Sequence, residues 1–173
     1  MVKIIGLLIV VASSIFAGGV MAKGVKLRVE ELLYVKKVIL MFRGEVAYKN
    51  AMLPEAFLMV GARARAPYNE LFTELAKETE ENCTTTMAHV FNEAIEKHLN
   101  GHTYLKKEDL QKIAELGDTL GYQNQTMQLS NIDLFVERLE VLIAEEQAKM
   151  NDTMKVYKTM SMMTGLFIAI VLV

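Results

Sequence analysis

Both ends of this 173-residue chain are apolar, and nearly all of its charge lies between them. Ile4 to Ala22 is a run of 19 residues without a charged side chain, IIGLLIVVASSIFAGGVMA. Thr159 to Val173, the last 15 residues, also carry none and finish LFIAIVLV. As a helix, the first run reaches about 28 Å, close to the roughly 30 Å thickness of bilayer hydrocarbon. The second reaches about 22 Å and crosses if Lys155 and Lys158 extend their ammonium groups to the interface. The sequence therefore predicts transmembrane helices over 3–22 and 159–173, flanking a helical domain over 23–158.

Basic flanks set the orientation. Lys23, Lys26 and Arg28 follow the first run, and Lys149, Lys155 and Lys158 precede the second. Positive charge beside a span resists translocation, so both flanks predict a cytosolic middle in a double-pass protein. The alternative is a cleavable signal peptide, with Lys3 as its basic start and Val20-Met21-Ala22 as a small-residue cleavage site. The protein would then be an exported helical binding domain held only by its C-terminal tail.

The stretch between the runs suits one domain with a buried core and no disulfide. Cys83 is the sole cysteine, which is compatible with a reducing compartment. Asn-X-Thr sequons at Asn82, Asn124 and Asn151 carry no meaning in a cytosolic domain. Net charge is −2 but uneven. Residues 23–65 hold nine Lys/Arg against four Asp/Glu, and residues 66–158 hold nine against seventeen. No long cationic face is available for nucleic acid. The pattern suits a basic first helix near anionic lipid and an acidic remainder facing protein partners.

Strand signals are nearly absent, whereas helical spacing recurs throughout. Val25, Val29, Leu32, Val35, Ile39, Phe42 and Val46 repeat at three and four residues, a long helix continuing from the first apolar run. Leu53-Pro54-Glu55 opens a short helix, with Pro54 tolerated in its first turn and Glu55 favourable to the dipole. Gly61 to Pro67 breaks the chain. Pro67 starts a third helix to Glu81, with an acidic face of Glu70, Glu74, Glu78, Glu80 and Glu81. Thr85 or Thr86 caps a fourth, which stops near Asn100-Gly101. A fifth covers about 106–120 and buries Leu110, Ile113, Gly117 and Leu120. The last begins near Asn124, with an inner stripe of Met127, Ile132, Phe135, Leu139, Leu142 and Met150, and runs on for up to 50 residues. The expected fold is all-α, an antiparallel helical bundle between two anchors.

Catalytic patterns are missing: the chain has no Gly-rich phosphate loop, nucleophile elbow or HExxH. His98 and His102 are four apart, but Gly101 between them should stop the helix, and further metal ligands have no source. Cys83 with His89 is a weak nucleophile pair and reads better as packing. The chain is expected to be no enzyme, with no cofactor, metal or small-molecule substrate. Gly117 and Gly121 share one helix face. Glycine there costs about 1 kcal/mol relative to alanine, so close helix approach at Gly117 and a C-cap at Gly121 are its structural reasons. A groove for a partner backbone is the functional reading. Core gap-filling explains most of the twelve methionines, with Met160, Met162 and Met163 in the second apolar run.

Two segments resemble a known family. Glu45-Val46-Ala47-Tyr48 with Leu53-Pro54-Glu55-Ala56-Phe57 is similar to the E-I-x-Y-x-x-T-P-L-P-E-A-L segment of stage III sporulation protein AB. The block TYLKKEDLQKIAELGDTLGYQNQTMQ resembles a second motif of that family at Thr103, Leu105, Glu108, Asp109, Ile113, Leu116, Gly117, Leu120, Gly121 and Gln128. Asn124 stands where the family usually has Asp, and Phe91 where it often has Trp. Asn still caps a helix and Phe still fills a core.

The resemblance covers essentially the whole chain and implies a non-enzymatic platform in a secretion-like sporulation channel, related to the F-type platforms of type II secretion and type IV pilus machines. It implies residence in the mother-cell membrane around the forespore. The implied partners are sister stage III sporulation proteins, a secretion-type ATPase on the cytosolic side and ring-forming proteins in the membrane. Pro54, Glu55, Glu108, Asp109, Gly117, Leu120, Gly121 and Gln128 are the signature positions it marks as candidate docking residues.

Overall fold

A computed structural model describes residues 2–49, 52–81, 86–120 and 125–172, and among them there is no strand. Six helices follow in order: α1 (Val2–Lys49), α2 (Leu53–Gly61), α3 (Tyr68–Glu81), α4 (Met87–His98), α5 (Lys107–Leu120) and α6 (Gln125–Leu172). The chain divides into residues 31–143 on one hand, and residues 1–30 with 144–173 on the other.

Within 31–143, α2 packs on α3, α3 on α4 and α4 on α5. The core draws on every helix. From α1 come Leu32, Val35, Val38, Ile39, Phe42 and Val46, all buried as their spacing predicts. From α6 come Ile132, Val136, Leu139 and Ile143. Here the expected stripe needs correction. Phe135 and Leu142 are only partly buried, and Met127 is 51% exposed. Met127 lies five residues before Ile132, which turns it about 140° away from the buried line.

Four phenylalanines join the first four helices. Phe57 of α2 stacks on Phe42 at 4.9 Å and 11° between planes, and sits 5.9 Å from Phe72 of α3. It meets Phe91 of α4 edge-on at 5.8 Å and 63°. Offset and edge-to-face contacts of this kind contribute roughly 0.5–1.5 kcal/mol beyond the area they bury.

Close approach explains two glycines. A Cβ on Gly61 would lie 3.0 Å from Thr73 Oγ1 and 3.3 Å from Asn69 O of α3. A Cβ on Gly117 would lie 2.6 Å from Phe91 Cβ and 2.8 Å from its Cγ. The packing reason for Gly117 therefore holds, and the space a partner backbone would need is filled by Phe91 of α4. Gly121 lies outside the described residues. Gly101 has φ +76°, the left-handed geometry that turns the chain out of α4. Thr86 occupies the N-cap of α4 without a side-chain cap hydrogen bond, and Thr85 lies outside the described residues.

Residues 1–30 and 144–173 form the other unit. A Cβ on Gly18 would overlap Ser161 Oγ and approach Tyr157 O at 3.0 Å, so backbone meets backbone there. Arg28 and Glu146 make an ion pair with side chains only 9% and 23% exposed. As expected, the apolar runs are continuous with the helices beside them: each is the end of a 48-residue helix. Gly165 is buried, and α6 continues past it to Leu172. Among the described residues no helix is long and apolar enough to cross a membrane. The expected spans at 3–22 and 159–173 fall partly outside the described side chains, which omit residues 3–5, 7, 8, 10, 11, 166, 169 and 171–173.

The Gly117 contact is testable. Gly117→Ala should destabilise residues 31–143 by about 1–3 kcal/mol, because Phe91 must move at its Cβ rather than at a flexible tip. Thermal unfolding of wild type and variant measures this, and an unchanged midpoint would refute the tight α4–α5 contact.

Candidate interaction surface

The break between α2 and α3 is a basic strap laid on α1. Arg63 Nη1 donates to Glu45 Oε1 at 2.8 Å, and Arg65 Nη2 donates to Glu31 Oε2 at 3.0 Å. Glu45 and Glu31 are buried, with side chains 7% and 11% exposed, while both arginines are about half exposed. The Arg65 backbone N–H donates to the Tyr34 hydroxyl at 2.7 Å, and its guanidinium lies 4.1 Å from the Tyr34 ring centre. Tyr68 sits 5.2 Å from Tyr34. Burial first, and then the negative charge of Glu31, push the Tyr68 phenol far above its ordinary value, so it stays neutral. Spacing alone showed the Gly61–Pro67 break but not its anchoring. The missed signal was two glutamates within the apolar register of α1, facing an Arg-X-Arg loop.

The acidic face of α3 is partly spent on α4. Glu74 accepts from Lys97 Nζ at 2.9 and 2.7 Å and pairs with His98 Nε2. His98 Nδ1 also lies 3.5 Å from Glu70 Oε2. Partial burial raises the Glu74 pKa, but the hydrogen bonds and positive charges of Lys97 and His98 outweigh it, and the net shift is downward. Asn69, Glu70, Thr73, Glu74, Lys77, Glu78 and Lys97 line an open polar groove of about 410 Å³. Glu70, Glu80 and Glu81 are the exposed acids of this helix. His98 is thus engaged with carboxylates, and His102 is exposed beyond the helix end. His89 lies beside Glu93 at 3.6 Å, and Cys83 lies outside the described residues. Among the described residues no group of three His, Cys, Asp or Glu is placed to hold a metal ion.

The signature positions hold helix ends and helix contacts. Asp109, 1% exposed, accepts from the Lys106 backbone N–H at 2.9 Å through Oδ2, the carboxylate half of a capping box at the start of α5. Leu120 is fully buried at the far end of α5. Gln128 Nε2 donates to Leu120 O at 3.2 Å, and Asn131 Nδ2 donates to Thr119 O at 3.2 Å. The first turns of α6 thereby satisfy carbonyls that end α5. Gln125 Nε2 does the same for Val46 O of α1 at 2.6 Å. Pro54 sits in the first turn of α2 and is half-buried. Glu55 and Glu108 are the signature acids exposed to solvent.

The profile of the stage III sporulation protein AB family matches residues 3–173. The chain belongs to that family. Its relative in Bacillus subtilis (strain 168), stage III sporulation protein AB, is 20% identical over 172 residues, 99% of each chain. A solved structure of stage III sporulation protein AB (SpoIIIAB) shares the fold, with a TM-score of 0.62 at 18% identity over 72% of this chain and 96% of that one. Membership in this sporulation family confirms the resemblance carried by Leu53–Phe57 and Thr103–Gln128. In this member those blocks contain Phe57 at the aromatic centre and Asp109 at a helix cap.

Two outcomes follow. Arg65→Ala should destabilise the fold by roughly 1–3 kcal/mol, since it leaves the Glu31 carboxylate buried without its cation. Arg65→Ala combined with Glu31→Gln should recover part of that loss in denaturant unfolding. Glu74 has a depressed folded-state pKa, so its stabilisation is complete above the ordinary glutamate value of 4.5 and fades as pH falls through the lower folded value. The stability gap between wild type and Glu74→Gln should therefore shrink as pH falls below 4.5. A gap independent of pH in the acid range would contradict the Lys97–Glu74–His98 arrangement.

Proposed function

We propose that this family member is a non-enzymatic membrane platform of the sporulation channel complex. The observation that carries the reading is the family match from residue 3 to residue 173, which takes in both apolar ends as well as the helical centre. In the unit formed by those ends, Gly18, Ala22 and Gly165 are buried while Phe16, Met163, Phe167 and Ile170 are each more than 60% exposed. Water covers such a surface poorly. Lipid is its natural cover, so we assign the two ends to a double-pass attachment in the mother-cell membrane around the forespore, with 23–158 in the cytosol.

On this reading the exposed acids Glu70, Glu80 and Glu81 of α3, with Glu55 and Glu108, face a basic surface on a secretion-type ATPase. Ring-forming sister stage III sporulation proteins are the partners within the membrane. The buried signature residues act by holding that surface in shape.

Single cysteines at Glu70 and Glu80, in a Cys83→Ser background, should crosslink to the co-expressed ATPase in sporulating cells. Protease added outside sealed cells should leave the central region intact. Digestion there would favour the exported domain with a cleaved signal peptide, and crosslinks confined to extracellular proteins would reject the platform.

A further inference from the structure

Within residues 31–143, α1 and α6 lie antiparallel and side by side. Lys36 Nζ meets Glu140 Oε1 at 2.8 Å, and Arg43 donates through Nε and Nη2 to the two carboxylate oxygens of Asp133. Those two pairs are seven residues apart on each helix and set the register, so that residue 42 is level with residue 134. Away from the core, each helix shows an apolar stripe to solvent. On α1 it is Leu33 and Leu40, 41% and 43% exposed, opposite Leu32, Val35, Ile39 and Phe42. On α6 it is Met127, Leu134 and Val141, 51%, 47% and 56% exposed, opposite Ile132, Val136, Leu139 and Ile143. Both stripes repeat every seventh residue, the period of a helix seam that expects another helix.

The charges beside the stripes differ in sign. On α1 the acids Glu31 and Glu45 are buried, Lys36 and Arg43 are engaged by α6, and Lys37 is the exposed charge beside the stripe. On α6 Asp133 and Glu140 hold those two cations, and Glu137 is the exposed acid beside the stripe, with Arg138 as the exception. One face therefore carries an apolar stripe flanked by Lys37 next to an apolar stripe flanked by Glu137. Such a face is complementary to itself.

We propose that this outer face of α1 and α6 binds a second copy of the chain in a two-fold dimer. Two arrangements are open to an isologous face. A two-fold axis across the helices sets α1 on α1 and brings Lys37 toward Lys37, Glu137 toward Glu137. An axis along the helices sets α1 of each copy on α6 of the other and brings Lys37 toward Glu137. Like-charge apposition is disfavoured, so the second arrangement is chosen. It keeps the internal register, and Leu40 then lies near Leu134 of the second copy. The inference is independent of how the acidic face of α3 is used.

The test uses the full chain in detergent micelles and measures its mass by sedimentation. Wild type should be dimeric. Lys37→Glu alone and Glu137→Lys alone should each lose the dimer, and the two together should restore it, with helix content by circular dichroism equal in all four. In a Cys83→Ser background, copies carrying Leu40→Cys should crosslink to copies carrying Leu134→Cys and not to one another. A monomeric wild type, a double swap without rescue, or Leu40→Cys crosslinking to itself would each overturn the proposal.

Discussion

Phe57 is the residue on which residues 31–143 converge. It belongs to α2, a nine-residue helix too short to be stable by itself, and it touches phenylalanines of α1, α3 and α4. Isolated, α2 could not offset the entropy of ordering its chain. Docked by a fully buried aromatic ring, it gives α1 and α3 a common neighbour and lets Gly61 bring α3 within contact of the backbone. Phe91 extends the same cluster to α4, and Gly117 receives Phe91 from α5. The chain of contacts runs helix by helix from one ring.

Polar groups do a different task in this fold. Apolar packing alone tolerates sliding between long helices, whereas a buried carboxylate accepts only one position for its cation. Glu31 and Glu45 are four helical turns apart on α1, and each holds one arginine of the strap between α2 and α3. Their direct contribution to stability is modest, since desolvation offsets much of the attraction. Their value is geometric: a slip of α1 by one residue would strand both acids without partners. Gln125, Gln128 and Asn131 add to this by donating from α6 to carbonyls at the ends of α1 and α5.

This division clarifies what a family signature records. Asp109 caps the start of α5, Leu120 and Gln128 serve the junction between α5 and α6, and Gly117 packs on α4. Surface charge on α3 and the outer face of α1 and α6 is where individual contacts can differ without disturbing the core.

Helical content, the six helix positions and the core line of α1 were legible in the sequence, because a 3.6-residue period of apolar side chains is a local property. Gly117 could be read as a close-approach site for the same reason: glycine inside a helix is costly and demands a contact. The family could be read from Leu53–Phe57 and Thr103–Gln128. Partner choice was not local. Glu31, Glu45 and Glu74 look like surface acids in sequence, yet each meets a cation at least 18 residues away, and only the packing of helices brings them together. Met127, expected in the inner stripe of α6, is exposed, and Val136, outside that stripe, is buried. The sequence by itself determined which faces of each helix are apolar, and the tertiary structure alone decided which of them find a neighbour and which stay open.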